Sequence, residues 1–102
     1  MAKVELTDAA RNDLKEIHSY VASESDDLTA DRLTDRILEK FKMLSNHNLA
    51  GVERFDMHDN LRSFQHGKYL IFYFPTEIGV EIFRVIHQAR DIPQIFESDL
   101  LN

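Results

Sequence analysis

The chain has no cysteine and no tryptophan, and only three glycines and two prolines among its 102 residues. Without cysteine there is no disulfide framework, no thiol nucleophile and no zinc site of the thiolate type. Three scattered glycines leave no glycine-rich loop to cradle a phosphate. No apolar run approaches the roughly 18 residues that a membrane span needs. The first residues, Met1 to Leu6, carry Lys3 and Glu5 where a secretory signal would be continuously apolar. A cytoplasmic protein with no membrane attachment is therefore expected. Positive charge is scarce too: 12 Lys and Arg against 18 Asp and Glu give a net charge of −6. That balance opposes non-specific nucleic-acid binding, which depends on neutralising phosphates. His18, His47, His58 and His66 lack metal-ligand spacing, and Asp59, Ser63 and His66 have nothing to orient them as a triad. No metal and no cofactor are expected.

What is present suffices for one domain over residues 1–102 with one modest core. Lys3 to Leu6 reads as a short strand. Thr7 is a natural N-cap, and Asp8 faces the positive end of the helix that follows, to about Ser23. Ala10, Leu14, Ile17 and Val21 form one apolar stripe, with Asp13 and Glu16 off it. After the polar turn Ser23–Asp27, a second helix runs to about Asn46, with Ala30, Leu33, Ile37, Phe41 and Leu44 inward. Asp31, Asp35 and Glu39 interleave with Arg32, Arg36 and Lys40 on its remaining surface, which reads as a solvated face. Residues 45–60 read as irregular.

Residues 61–90 carry the most information. Leu61–Phe64, Tyr69–Phe74 and Val80–Gln88 read as strands, with a tight turn at Gln65-His66-Gly67. Pro75 is expected to end the second of these, and Gly79 to supply a positive φ in the turn after it. Arg62, Lys68, Arg84 and Arg90 outnumber Glu77 and Glu81 in this window. A locally basic sheet inside an acidic chain suggests a surface that meets something acidic. Strict alternation puts Val80, Ile82, Arg84 and Ile86 on one side of the last strand and Glu81, Phe83, Val85 and His87 on the other. A short helical turn is expected over Asp91–Phe96, and fraying at Leu100–Asn102. The order β-α-α-β-β-β defines an α+β domain in which a helical hairpin packs on one face of a small, mostly antiparallel sheet. A two-layer protein of this size is expected to leave the other face partly exposed, as a candidate interface.

The segments Leu61-Arg62-Ser63-Phe64, Gly67-Lys68-Tyr69-Leu70-Ile71-Phe72-Tyr73, Pro75-Thr76, Gly79-Val80-Glu81-Ile82, Arg84-Val85, His87 and Ala89-Arg90-Asp91 resemble the ParE toxins of bacterial toxin–antitoxin modules. Val4-Glu5-Leu6-Thr7, Ala9-Ala10 and Ala30-Asp31-Arg32-Leu33 look like the same family. The resemblance implies a RelE/ParE-like fold and a type II toxin that forms a hetero-oligomer with a ParD-like antitoxin. DNA binding would come only through that antitoxin. The antitoxin's acidic, amphipathic segment would order on binding, cover apolar surface and meet basic residues.

Two activities occur among such proteins: poisoning of DNA gyrase without catalysis by the toxin, and ribosome-dependent cleavage of mRNA by RelE-type members. RelE-type nucleases carry an arginine where Tyr69 stands, and a tyrosine where Phe96 stands, six residues after Arg90. Phe96 offers no hydroxyl for proton transfer, and a missing arginine weakens stabilisation of the charged phosphorane. The resemblance thus implies a gyrase-directed, non-enzymatic toxin, with Arg90 and His87 as the residual catalytic suspects and RNA cleavage as the alternative. Binding candidates for antitoxin or target are Arg62, Lys68, Tyr69, Phe72, Phe74, Arg84 and Arg90. Each has a plainer reading. Arg62 and Arg84 could pair with a carboxylate such as Glu81, Arg90 with Asp91, and His87 could be structural. The aromatics Tyr69, Phe72, Tyr73, Phe74 and Phe83, a stacking platform for RNA in one reading, belong to core and partner-covered surface in the other.

Overall fold

The fold was obtained as a computed structural model, described for residues 2–90 and 92–101 and, in its side chains, as far as Phe96. A strand β1 (Lys3–Leu6) leads into helices α1 (Asp8–Glu24) and α2 (Asp27–Asn46). Strands β2 (Val52–Glu53), β3 (Arg62–His66), β4 (Tyr69–Thr76) and β5 (Gly79–His87) follow, then helix α3 (Ile92–Leu101). The sheet order is β1-β5-β4-β3-β2, with β1 parallel to β5 and the other pairs antiparallel. The α+β architecture is the one expected, with two additions. Val52–Glu53, inside the segment read as irregular, forms a two-residue edge strand. The expected helical turn after β5 is a helix of 10 residues. Asp91 and Asn102 lie outside the described residues.

Both hairpin helices start where the sequence provides a cap. The Thr7 hydroxyl accepts from Ala10 N at 3.0 Å and donates to the Phe83 carbonyl at 2.8 Å, so one side chain caps α1 and ties it to β5. The Asp26 carboxylate accepts from Thr29 N at 2.7 Å, and hydrogen bonding to the Thr29 side chain and then to its backbone holds its pKa below the usual carboxylate value. The hairpin rests on β5 and β1. Ile17, Ile37, Phe41, Leu44, Ile71, Ile82 and Val85 form the core between hairpin and sheet.

Three local expectations need correction. Gly67, with φ +58°, carries the left-handed turn conformation. Gly79 instead lies in β5 directly against Lys3, so close that a Cβ would collide with the Lys3 backbone where β1 joins the sheet. Second, β4 continues through Pro75 to Thr76. Tyr73 faces β3, so by alternation Pro75 does too, and β3 begins only at Arg62, opposite Tyr73. The missing N–H therefore breaks no ladder bond. Third, the pairing passes from Phe72↔Arg84 to Tyr73↔Ile82, leaving Phe83 as an extra residue in β5. The bulge shifts the alternation by one, so that Val85 joins Val80 and Ile82 on the hairpin side and Ile86 faces away.

The sheet face away from the hairpin is not left open. α3 folds back across it and drives Phe96 against Phe72 and Phe83, with ring centroids 4.5 and 5.2 Å apart. Leu61, Phe72, Ile86 and Phe96 make a second, smaller core there. Ile92, Ile95 and Phe96 of this helix supply the third layer that a hairpin-on-sheet count omits.

Candidate functional site

Just past the bulge, Arg84 meets α1: its Nε donates to Asp13 Oδ2 at 2.7 Å and a terminal nitrogen donates to Oδ1 at 2.8 Å. Asp13 Oδ2 also accepts the backbone N–H of Val85 at 2.8 Å. One carboxylate therefore neutralises a guanidinium in a two-pronged geometry and fills a vacant ladder position on the β5 edge beyond the end of β1. Both side chains are nearly buried, at 8% exposure for Asp13 and 13% for Arg84. Asp13 sits off the apolar stripe of α1 yet faces inward because its charge is matched. The pairing of Arg84 is with Asp13, not with the neighbouring Glu81.

Next to this pair, the C-terminal half of α1 and the end of β5 enclose a groove of about 390 Å³. Ile17, Val85 and Ile86 give it apolar walls, while Tyr20, Tyr69, His87 and Arg90 supply the rim. The Tyr69 and His87 rings meet edge to face at 5.3 Å. Burial, and then the nearby Tyr20 hydroxyl, raise the Tyr69 phenol above its usual pKa. His87 Nδ1 accepts the Ala89 N–H at 3.0 Å and so closes the end of the strand. The structure thus brings together Tyr69, Arg84, His87 and Arg90. The expected Arg90–Asp91 pair falls outside the described residues.

The remaining candidates lie elsewhere. Lys68 is exposed in the β3–β4 turn. Arg62 holds the loop that precedes β2: it donates to the Leu49 and Gly51 carbonyls at 3.3 and 2.9 Å and pairs with Glu53 at 3.5 Å. Its Nε is buried without a partner among the described residues. Phe72 has no exposed surface, and Phe74 packs on Phe83 and His58, both on the α3 face. Tyr73 is likewise core. Its hydroxyl donates to the Asn48 carbonyl at 3.0 Å and accepts from Gly51 N at 2.8 Å, and burial raises its pKa. Two residues with structural roles escaped sequence reasoning. Asp13 carried no signal beyond its helical phase. Arg54, inside the segment read as irregular, places its guanidinium 5.6 Å from the Phe72 ring centre.

Chemically, the groove offers an imidazole, a guanidinium and two phenols, but Phe96 lies on the opposite face of the sheet with its ring in the second core. Among the described residues no three His, Asp or Glu side chains are grouped to hold a metal ion, and no helix is long and apolar enough to cross a membrane.

A helical hairpin on a mixed five-stranded sheet, with an apolar groove beside a bulged last strand, is the RelE/ParE-like toxin fold. The model of the ParE toxin of the type II toxin–antitoxin system, parDE, matches residues 4–92, and the chain belongs to that family. Among solved structures it is similar to a chain of the chromosomal ParDE toxin–antitoxin system from P. aeruginosa, with a TM-score of 0.72 at 18% identity, covering 85% of this chain and 96% of that one. At that identity the likeness bears on the fold alone. No curated protein matches the chain.

Proposed function

We propose that this toxin acts in the cytoplasm by trapping DNA gyrase rather than by catalysis, and that a cognate ParD-like antitoxin silences it by binding over the hairpin and sheet. The observation that carries the non-catalytic reading is the fate of position 96. The aromatic ring there is a phenylalanine, and it is buried against Phe72 and Phe83, away from His87 and Arg90. A phosphodiester-cleaving site needs a proton donor within hydrogen-bond reach of the reacting oxygen. His87 instead uses Nδ1 for the Ala89 N–H, and Arg84 is held by Asp13. Of the contact candidates, Lys68, Tyr69 and Arg90 remain available to a partner on the hairpin side. A partner reaching Phe72 must first displace α3.

Induced expression of the toxin without its antitoxin tests this reading, with double-strand DNA breaks and transcript integrity scored together. Breaks with intact transcripts are expected, and purified gyrase should accumulate cleaved plasmid when the toxin is added. Cut transcripts with intact DNA overturn the proposal.

A further inference from the structure

Three large apolar side chains that stand exposed fall close together in the chain: Leu49, Val52 and Phe55, at 66, 69 and 47% exposure. They sit just before, on and just after β2, which ends the sheet and has no strand on its outer side among the described residues. Val52 lies on the α3 face with Ser63, whereas Phe55 borders Arg62 on the hairpin face, so the apolar surface wraps the edge. The segment is firmly held. The Tyr73 hydroxyl bridges the Asn48 carbonyl and the Gly51 N–H, and a Cβ on Gly51 would collide with it. Arg62 donates to the Leu49 and Gly51 carbonyls, and its guanidinium carbon lies 5.9 Å from the centre of the Phe55 ring. Arg54 N donates to the Leu61 carbonyl at 2.8 Å and extends the pairing of β2 with β3. Two side chains of the sheet thus fix a segment whose own apolar groups face water. Apolar anchors fixed before contact suit a docking surface, because little ordering is left for binding to do.

The charges of this segment are sorted by direction. Arg54 and Arg62 are turned inward, the first over Phe72 and the second onto the loop carbonyls, while Glu53, Asp56 and Asp59 are exposed. The outer rim is therefore acidic. We infer that the β2 edge, with Leu49, Val52 and Phe55 as anchors and Glu53, Asp56 and Asp59 as rim, is the surface that grips gyrase, and that it docks where that enzyme holds DNA. The inference rests on the gyrase reading and adds to it the surface and the chemistry of the contact. An enzyme that holds DNA while cutting it must line that path with Lys and Arg, so the path offers the basic charge that this rim complements. An acidic antitoxin segment fits badly, since carboxylates would face carboxylates. A second copy of this chain fits badly for the same reason. Duplex DNA itself is repelled by the rim and by the net charge of −6.

The test uses the full toxin, purified gyrase and supercoiled plasmid, at low and at physiological salt. The readout is the toxin concentration that gives half-maximal cleaved plasmid. Leu49→Ala/Phe55→Ala should raise it about 30-fold. Asp56→Asn/Asp59→Asn should raise it about 10-fold at low salt and less at physiological salt. All four side chains are exposed, so both variants should melt with the wild type and bind the antitoxin encoded with the toxin at the wild-type Kd. If the apolar variant melts early, the acidic variant decides alone. Half-maximal concentrations within about three-fold of the wild type in both variants overturn the inference, while cleavage with the wild type keeps the gyrase reading intact. An equal loss of antitoxin binding also overturns it and assigns the edge to the antitoxin. Absence of cleaved plasmid with the wild type removes the gyrase reading and the inference with it.

Discussion

The two sides of the helical hairpin use charge in opposite ways. On the α1 side, Arg84, Asp13 and the Val85 N–H satisfy one another in a nearly buried cluster, and His18 meets Asp31 across the hairpin. On the α2 side, Arg32, Arg36 and Lys40 form no ion pair among the described residues. The first set of charges holds the domain together. The second makes no such contact. Formal charge cannot separate them, because a guanidinium on a strand and one on a helix count alike until burial and partners are known.

Mutations can break this contrast. Asp13→Ala should have the largest effect, about 3–5 kcal/mol of lost stability, because it strands a nearly buried guanidinium and the Val85 N–H together. Denaturant unfolding measures it, and a loss below about 1 kcal/mol would mean that the pair is solvated rather than structural. Phe96→Ala comes next, at about 3–4 kcal/mol, if α3 is held by that ring against Phe72. Hydrogen exchange should then deprotect the Leu61–Phe72 side of the sheet before the hairpin side. A uniform loss would show that the two cores unfold as one.

Tyr73→Phe removes a hydroxyl that bridges Asn48 and Gly51 and should cost about 1–2 kcal/mol. The same hydroxyl gives a pH test. Burial raises its folded-state pKa above 10.0, so its contribution is complete below the unfolded value and is lost as pH rises through the folded one. Wild-type stability should therefore fall above about pH 10, and part of that fall should vanish in Tyr73→Phe. Alkaline unfolding curves that superimpose would contradict this. The smallest expected effect is the counterpart of the first. Charge reversal of Arg32, Arg36 and Lys40 should shift stability by no more than about 0.5 kcal/mol. A larger loss would move that flank to the structural side of the comparison.

Part of this was legible in the chain. The stripe Ala10-Ile17 and the stripe Ala30-Ile37-Phe41-Leu44 mark the hairpin, because helical period fixes which residues can share a face. Thr7 marks where α1 begins, since a hydroxyl there satisfies a backbone donor that has no other partner. The family was carried by motifs spread from Val4 to Asp91, within the residues 4–92 that the family model matches. Other features follow no local pattern. One extra residue at Phe83 reverses the facing of everything after it, and strict alternation therefore misassigned Val85 and Ile86. Gly79 looked like a turn glycine because its need for space comes from β1, more than 70 residues earlier in the chain.

The amino-acid sequence by itself determined the helix and strand periods, the caps, the absence of thiol and phosphate-loop chemistry, and membership of the ParE toxin family. Only the tertiary structure decided that Asp13 is inside, that Phe72 is core rather than contact surface, that Arg62 holds a loop, and that α3 closes the second face. The physical reason is that period and capping are set by neighbours within a turn or two. Burial, charge pairing and edge closure depend on which distant segment arrives at the same place, and here Asp13 and Val85 lie 72 residues apart.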